Sequence, residues 1–183
     1  MSYRLISANT RVTKPIRPES VADRLADFRR GLRLVSTQAT NARLKRLLES
    51  AEQEFENLTY YLLGQRRVEV IVESTETEIP MLGPVRPLTA SPQVSVTRWV
   101  DGAWRDFETM PFPGNKLHVQ SGEIYRLIAV AGATEVPHDV TEGLTRLVAW
   151  RYDRRHRQGN SVLQSGAQEM WQPYFNRVGV IID

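Results

Sequence analysis

Apolar residues recur along this chain at two different periods, and the changes of period divide it into segments. Val21, Leu25, Phe28 and Leu32 fall near helical spacing, which predicts a first helix over residues 19–34. Ser36, Thr37 and Thr40 interrupt that pattern and are suited to cap a second helix over roughly 38–60. Its buried stripe is expected to be Leu44, Leu47, Leu48, Ala51, Phe55 and Leu58, with Gly64 ending helicity.

Beyond Gly64 the period drops to two. Val68, Val70 and Val72 alternate with polar or charged neighbours, as a half-buried strand does. Val94, Val96 and Trp99-Val100 lead into Asp101-Gly102, a short hairpin signal, and Trp104 to Phe107 returns. Lys116–Val119 and Ile124–Val130 predict a second hairpin around Ser121-Gly122. Pro80, Pro84, Pro87, Pro92, Pro111 and Pro113 keep the strands short. Gly132 closes the last strand, and Pro137 with Asp139 or Thr141 opens a long helix. Along that helix Val140, Leu144, Leu147, Val148 and Arg151 share one face, and it is expected to run to Arg157.

After a loop at Gln158-Gly159-Asn160, Ser165 or Gly166 opens a short helix holding Met170, Trp171, Tyr174 and Phe175. The chain then ends in V-G-V-I-I-D, apolar where chain ends are normally polar. Two readings stand. Val178, Val180, Ile181 and Ile182 either add an edge strand to their own sheet or dock on another chain by strand addition.

The fold class is therefore α+β: a small bundle of two to four helices with an inserted antiparallel sheet. Residues 1–183 read as a single domain, in which 1–18 form an extended arm and 19–63 are helical. The β-rich insertion covers 66–131, the long helix 137–157, and the short helix with its tail 165–183. At 183 residues the chain can bury one sizeable core, removing roughly 70% of its unfolded surface from water. Apolar and charged contents of 41% and 25% are those of an ordinary globular protein. No apolar run approaches 18 residues, so no membrane span is expected, and the N-terminus lacks the apolar core of a signal peptide.

Charge is more unevenly distributed than the net +3 suggests. Residues 1–46 carry eleven Arg or Lys against Glu19, Asp23 and Asp27. Residues 49–78 reverse the sign, with eight glutamates against Arg66 and Arg67, and 146–157 are basic again. Alternating zones suit subunits packed side by side. The basic blocks alone give a second reading, a DNA-binding module acting through the N-terminal and 146–157 segments, though no recognised binding motif accompanies them.

Catalytic chemistry is hard to find. Zero cysteines exclude disulfides, thiolate metal sites and cysteine nucleophiles. His118, His138 and His156 lie in different elements, and Asp139 beside His138 is explained by helix entry. Glu52 and Glu56, one turn apart, read as a solvated helix face. Serines lack a nucleophile elbow and glycines lack a phosphate loop. No enzyme, cofactor or metal is expected.

One ordered set of features does carry a resemblance. Glu123–Arg157 reads as strand, Ala131-Gly132 exit, Val136-Pro137-x-Asp139-Val140 entry, and a helix with an aromatic-basic end. Upstream stand the helix Leu44–Leu63, the strand Arg67–Glu73, Ile79-Pro80…Gly83-Pro84-Val85, and Val94–Trp99. This order resembles the head-to-tail connector proteins of tailed bacteriophages, also called head completion or neck adaptor proteins, with relatives in gene transfer agents. The match spans about residues 40–157. It departs at the N-terminus, where about 35 residues of basic sequence precede the clear match to the family's first helix.

The resemblance implies a virion protein of the neck, made in a bacterial cytoplasm. It implies a ring of copies, by analogy a dodecamer, that joins the portal vertex to the tail. Its partners would be the portal protein, neighbouring copies of itself, a tail or stopper protein, and genomic DNA passing through the channel without sequence-specific recognition. Trp171, Tyr174, Phe175, Val178, Val180, Ile181 and Ile182 are the candidate portal contacts. Arg151, Arg154, Arg155, Arg157, Glu49, Glu52 and Glu56 are the candidate charges facing the channel or a neighbouring subunit.

Overall fold

The computed structural model describes residues 3–9, 21–34, 37–80, 85, 94–108, 111–112, 116–153, 161–175 and 180–181. They belong to two compact units, both discontinuous in sequence: one of strands (1–16, 64–133, 176–183) and one of helices (17–63, 134–175).

The strand unit is organised around β2 (Arg66–Ser74) and β8 (Ile124–Ala131). They pair antiparallel so that Val68 faces Ala129, Val70 faces Leu127 and Val72 faces Tyr125. All six side chains are buried, while the alternate positions stay half-buried, which is the outcome period-two patterning dictates. Burying each of the larger apolar side chains contributes about 1.5–3 kcal/mol. β4 (Ser95–Val100) and β5 (Ala103–Asp106) extend the sheet on the β8 side as the expected hairpin. Its turn residues Asp101 and Gly102 both have positive φ, 50° and 81°, the type I′ form whose twist suits two strands. On the β2 side stand β1 (Tyr3–Asn9) and β9 (Val180–Ile181), completing the order β5-β4-β8-β2-β1-β9. A second sheet, β3 (Glu78–Pro80), β7 (Lys116–His118) and β6 (Pro111–Phe112), supplies buried Ile79 and Leu117.

Three expectations for this unit need correction. The arm predicted over 1–18 contains a strand: Tyr3–Asn9 pairs antiparallel with β2, from Tyr3↔Ser74 to Asn9↔Glu69, with a register shift between Leu5 and Ser7. Tyr3 is fully buried. The β region is consequently not a self-contained insertion at 66–131, since both ends of the chain supply strands to its sheet. Lys116–Val119 and Ile124–Val130 also do not form a hairpin. The Ser121-Gly122 turn is tied to the end of β2 instead: Gly122 N–H donates to the Ser74 carbonyl (2.6 Å), Ser74 N–H to Glu123 (2.9 Å), and Ser121 Oγ to Thr75 (3.0 Å). β7 and β8 thereby enter different sheets.

The helical unit holds α1 (Val21–Gly31), α2 (Gln38–Thr59), α3 (His138–Asp153), α4 (Ser161–Gln164) and α5 (Ala167–Trp171), followed by a 3₁₀ turn at Gln172–Tyr174. Thr37 caps α2, its hydroxyl accepting from Thr40 N–H at 3.1 Å. The core joins Leu44, Leu48, Ala51 and Phe55 of α2 to Val140, Leu144, Leu147 and Val148 of α3. Phe28, Val162, Ala167 and Trp171 close it.

α2 ends at Thr59, within a residue of the expected bound, and the residue that turns the chain out of the helix is Tyr60, in the left-handed cap conformation (φ 54°, ψ 15°), ahead of Gly64. The stripe continues from Phe55 to Thr59, four residues on, so Leu58 turns outward and is 45% exposed. Glu56, expected on the outer face, is buried, because its Oε1 accepts the Leu63 N–H at 2.9 Å and satisfies the chain as it leaves the helix.

Candidate functional site

The residues preceding the C-terminal tail form an aromatic cluster inside the helical unit. Trp171 is fully buried on α5, and its indole lies where Gly143 of α3 has no side chain; a Cβ at 143 would overlap the ring. Its Nε1–H donates to the Val140 carbonyl at 3.4 Å. Phe55 meets it edge-to-face at 5.1 Å, and Tyr174 stands 5.8 Å from Phe55 and 5.0 Å from Tyr61, again edge-to-face. The Tyr174 hydroxyl donates to Asp139 Oδ1 at 2.7 Å, and the same oxygen accepts Val140 N–H at 2.9 Å. Phe175 packs partly buried against this core. The chain is thus fixed as far as Phe175, where the tail begins.

Of the candidate contacts, Trp171 therefore works in the core and presents no surface, while Tyr174 and Phe175 are half-buried at its margin. Val180 and Ile181 form β9, paired in parallel with β1 as Tyr3↔Val180 and Arg4↔Ile181. Of the two readings open for the tail, the pairing at these residues is with the chain's own sheet. Val178 and Ile182 lie outside the described residues.

The candidate charges divide similarly. Arg151 is mostly enclosed, its side chain 18% exposed, and its guanidinium spans three elements. It pairs with Glu54 of α2, donates to Ser161 Oγ of α4 (2.8 Å from Nη2) and reaches Ser50 Oγ at 3.3 Å. Glu56 is committed to Leu63. Glu49 pairs with Lys45 at 3.9 Å on the exposed face of α2, and Glu52 is half-buried on the same helix. Arg154, Arg155 and Arg157 lie outside the described residues. Another arginine joins the same two helices: Arg43 donates to the Tyr152 carbonyl at 2.8 Å and stacks on the Tyr152 ring at 4.2 Å.

Sequence reasoning passed over one surface feature. Register sets Trp99 directly opposite Trp104 on the β4–β5 hairpin, their rings 5.1 Å apart, with the Arg126 guanidinium 4.9 Å from Trp104. Trp99 is 40% exposed. The Asp101-Gly102 turn held the signal, since a two-residue loop fixes which residues face each other. Among the described residues no three His, Asp or Glu side chains gather to hold a metal ion, and no helix is long and apolar enough to cross a membrane.

No protein-family model matches the chain, and no curated protein matches it in sequence. Solved structures do. A chain in the neck of an empty GTA particle, computed with C6 symmetry, superposes with a TM-score of 0.64 at 17% identity, over 92% of this chain and 95% of that one. A chain in the virion of a native gene transfer agent (GTA) particle gives 0.62 at 17% identity, over the same shares. A third, in the neck of a native GTA particle computed with C12 symmetry, gives 0.58 at 16% identity, over 88% and 93%. The chain has the fold of these proteins along nearly its whole length.

Proposed function

We propose that the protein is a structural adaptor in the neck of a phage-like particle, where copies form a ring that joins the portal vertex to the tail. One observation carries this reading: the likeness to neck proteins of gene transfer agent particles covers 92% of the chain, both the strand and the helical segments. A common secondary-structure motif would match one segment and leave the rest. One of the neighbouring necks was computed with C12 symmetry, which supports twelve copies in the ring. Ring closure needs two different complementary surfaces on each subunit. The exposed Trp99 of the β4–β5 hairpin is a candidate for one of them.

In this reading the tail docks on the portal, with Tyr174 and Phe175 setting where it departs. Arg151 belongs to the subunit body. The role is one of assembly rather than catalysis, and DNA crosses the ring without being read.

The test is native mass spectrometry of the purified chain mixed with the portal protein encoded nearest to it. The expected result is a discrete portal-plus-ring species whose mass gives the copy number. Two separate species that never combine overturn the portal assignment.

A further inference from the structure

We propose that the face of the β4–β5 hairpin bearing Trp99 and Arg126 is a subunit contact of the ring, and that it docks on the α4–α5 corner of a neighbouring copy. The inference rests on the adaptor reading above and names the two surfaces that close its ring.

The hairpin half is organised in advance. β8 pairs with β4 only over Ser95–Arg98, so Trp99 and the turn stand beyond that ladder. Register and alternation put Thr97, Trp99, Trp104 and Arg126 on one face. Trp99 meets Trp104 edge-to-face at 5.1 Å, and the Arg126 guanidinium lies 4.9 Å over the Trp104 ring. Its Nε–H donates to Thr97 Oγ1 at 3.2 Å. A guanidinium stacked on an indole and fixed through Nε holds its two Nη groups as a fork shaped for a carboxylate. Among the described residues no carboxylate fills that fork: Asp106, opposite Thr97 on the same face, makes no ion pair with it. Trp99, 40% exposed beside the fork, is a rigid aromatic of the sort that anchors protein interfaces.

This chemistry asks for a carboxylate next to an apolar side chain. A polyanion such as DNA fits poorly, because Asp101, Asp106 and Glu108 outnumber Arg98 and Arg105 along the hairpin. The chain itself carries the matching half. Leu163, in the short helix α4, is 61% exposed. Gly166, with φ 75°, then turns the chain into α5, where Glu169 is exposed and, among the described residues, has no cation partner. A head-to-tail ring needs both halves of its contact on every subunit. Here one half belongs to the strand unit and the other to the helical unit.

Charge reversal tests the pairing. Arg126→Glu would set two carboxylates against each other at the contact, and Glu169→Arg two guanidinium groups. Each variant is expected to need at least about tenfold more protein than wild type to fill portal rings in native mass spectrometry. An equimolar mixture of the two is expected to fill them, because in alternating order every contact again joins opposite charges. Trp99→Ala, which leaves the charges in place, should also weaken filling. Glu169→Arg and Trp99→Ala change exposed side chains, so they decide the matter should Arg126→Glu fail to fold. If both fill portal rings as wild type does, the inference is overturned and the adaptor reading stands. A mixture of folded variants that fills rings no better than either alone overturns it equally. A wild-type chain that joins no portal overturns the adaptor reading. Sedimentation equilibrium of the concentrated chain then decides the contact: wild-type self-association abolished by Glu169→Arg keeps it, and any other result overturns it.

Discussion

The indole of Trp171 occupies the space that Gly143 leaves empty on α3, so the two positions are one packing unit separated in sequence. Gly143→Ala sets two effects against each other. Alanine improves helix propensity by roughly 1 kcal/mol, while overpacking a filled core costs about 1–3 kcal/mol. The ring cannot retreat, because Phe55 stands 5.1 Å behind it. A net loss of up to about 2 kcal/mol is expected from these terms, against about 3–5 kcal/mol for Trp171→Ala. Urea unfolding followed by circular dichroism measures both, and a midpoint raised by Gly143→Ala would refute the packing argument.

Arg151 and Glu54 test whether a basic helix end faces outward or inward. Their side chains are 18% and 33% exposed, so the pair is partly shielded from water, and Ser161 and Ser50 share the guanidinium. Arg151→Met and Glu54→Gln are each expected to destabilise by about 1–2 kcal/mol. The double variant should recover part of that sum, a coupling of about 1 kcal/mol. Coupling near zero would return Arg151 to the surface charges available to DNA or a neighbour.

Glu56 closes the α2 exit by accepting the Leu63 N–H. Glu56→Ala leaves a buried donor without its acceptor and is expected to cost about 1–3 kcal/mol. Glu56→Gln keeps an acceptor oxygen of the same reach and should cost less than half as much. Equal losses in the two variants would mean the site depends on charge rather than on the hydrogen bond.

What the sequence made legible follows how locally each feature is encoded. The Thr37 cap, the Asp101-Gly102 turn and the alternating valines of β2 depend on residues within a few positions, and all stand where expected. β1 was missed because Tyr3–Asn9 shows only Tyr3 and Leu5 in alternation; what makes it a strand is the free edge of β2, more than sixty residues away. The mistaken hairpin at Ser121-Gly122 has the same origin, since that turn is fastened to Ser74 and Thr75 rather than closed between its own flanks. At the candidate site, the aromatic cluster was visible as composition. That Trp171 is its buried centre depends on Gly143, which no local pattern in the α5 segment reveals.

Deletion of Val178–Asp183 separates the tail's part in the fold from its part in assembly. In the fold it removes, among the described residues, the pairing of Val180 and Ile181 with β1, about 2 kcal/mol at roughly 1 kcal/mol per hydrogen bond. The aromatic root is untouched, since Trp171, Tyr174 and their partners Phe55, Tyr61 and Asp139 all remain. The truncated chain should therefore keep its circular dichroism spectrum and unfold cooperatively close to the full-length midpoint. If the tail is the portal contact, the same chain fails to join portal particles in a co-sedimentation assay. Retained spectrum with unchanged incorporation would move the portal contact to another surface, with the exposed Trp99 on the β4–β5 hairpin next to be substituted.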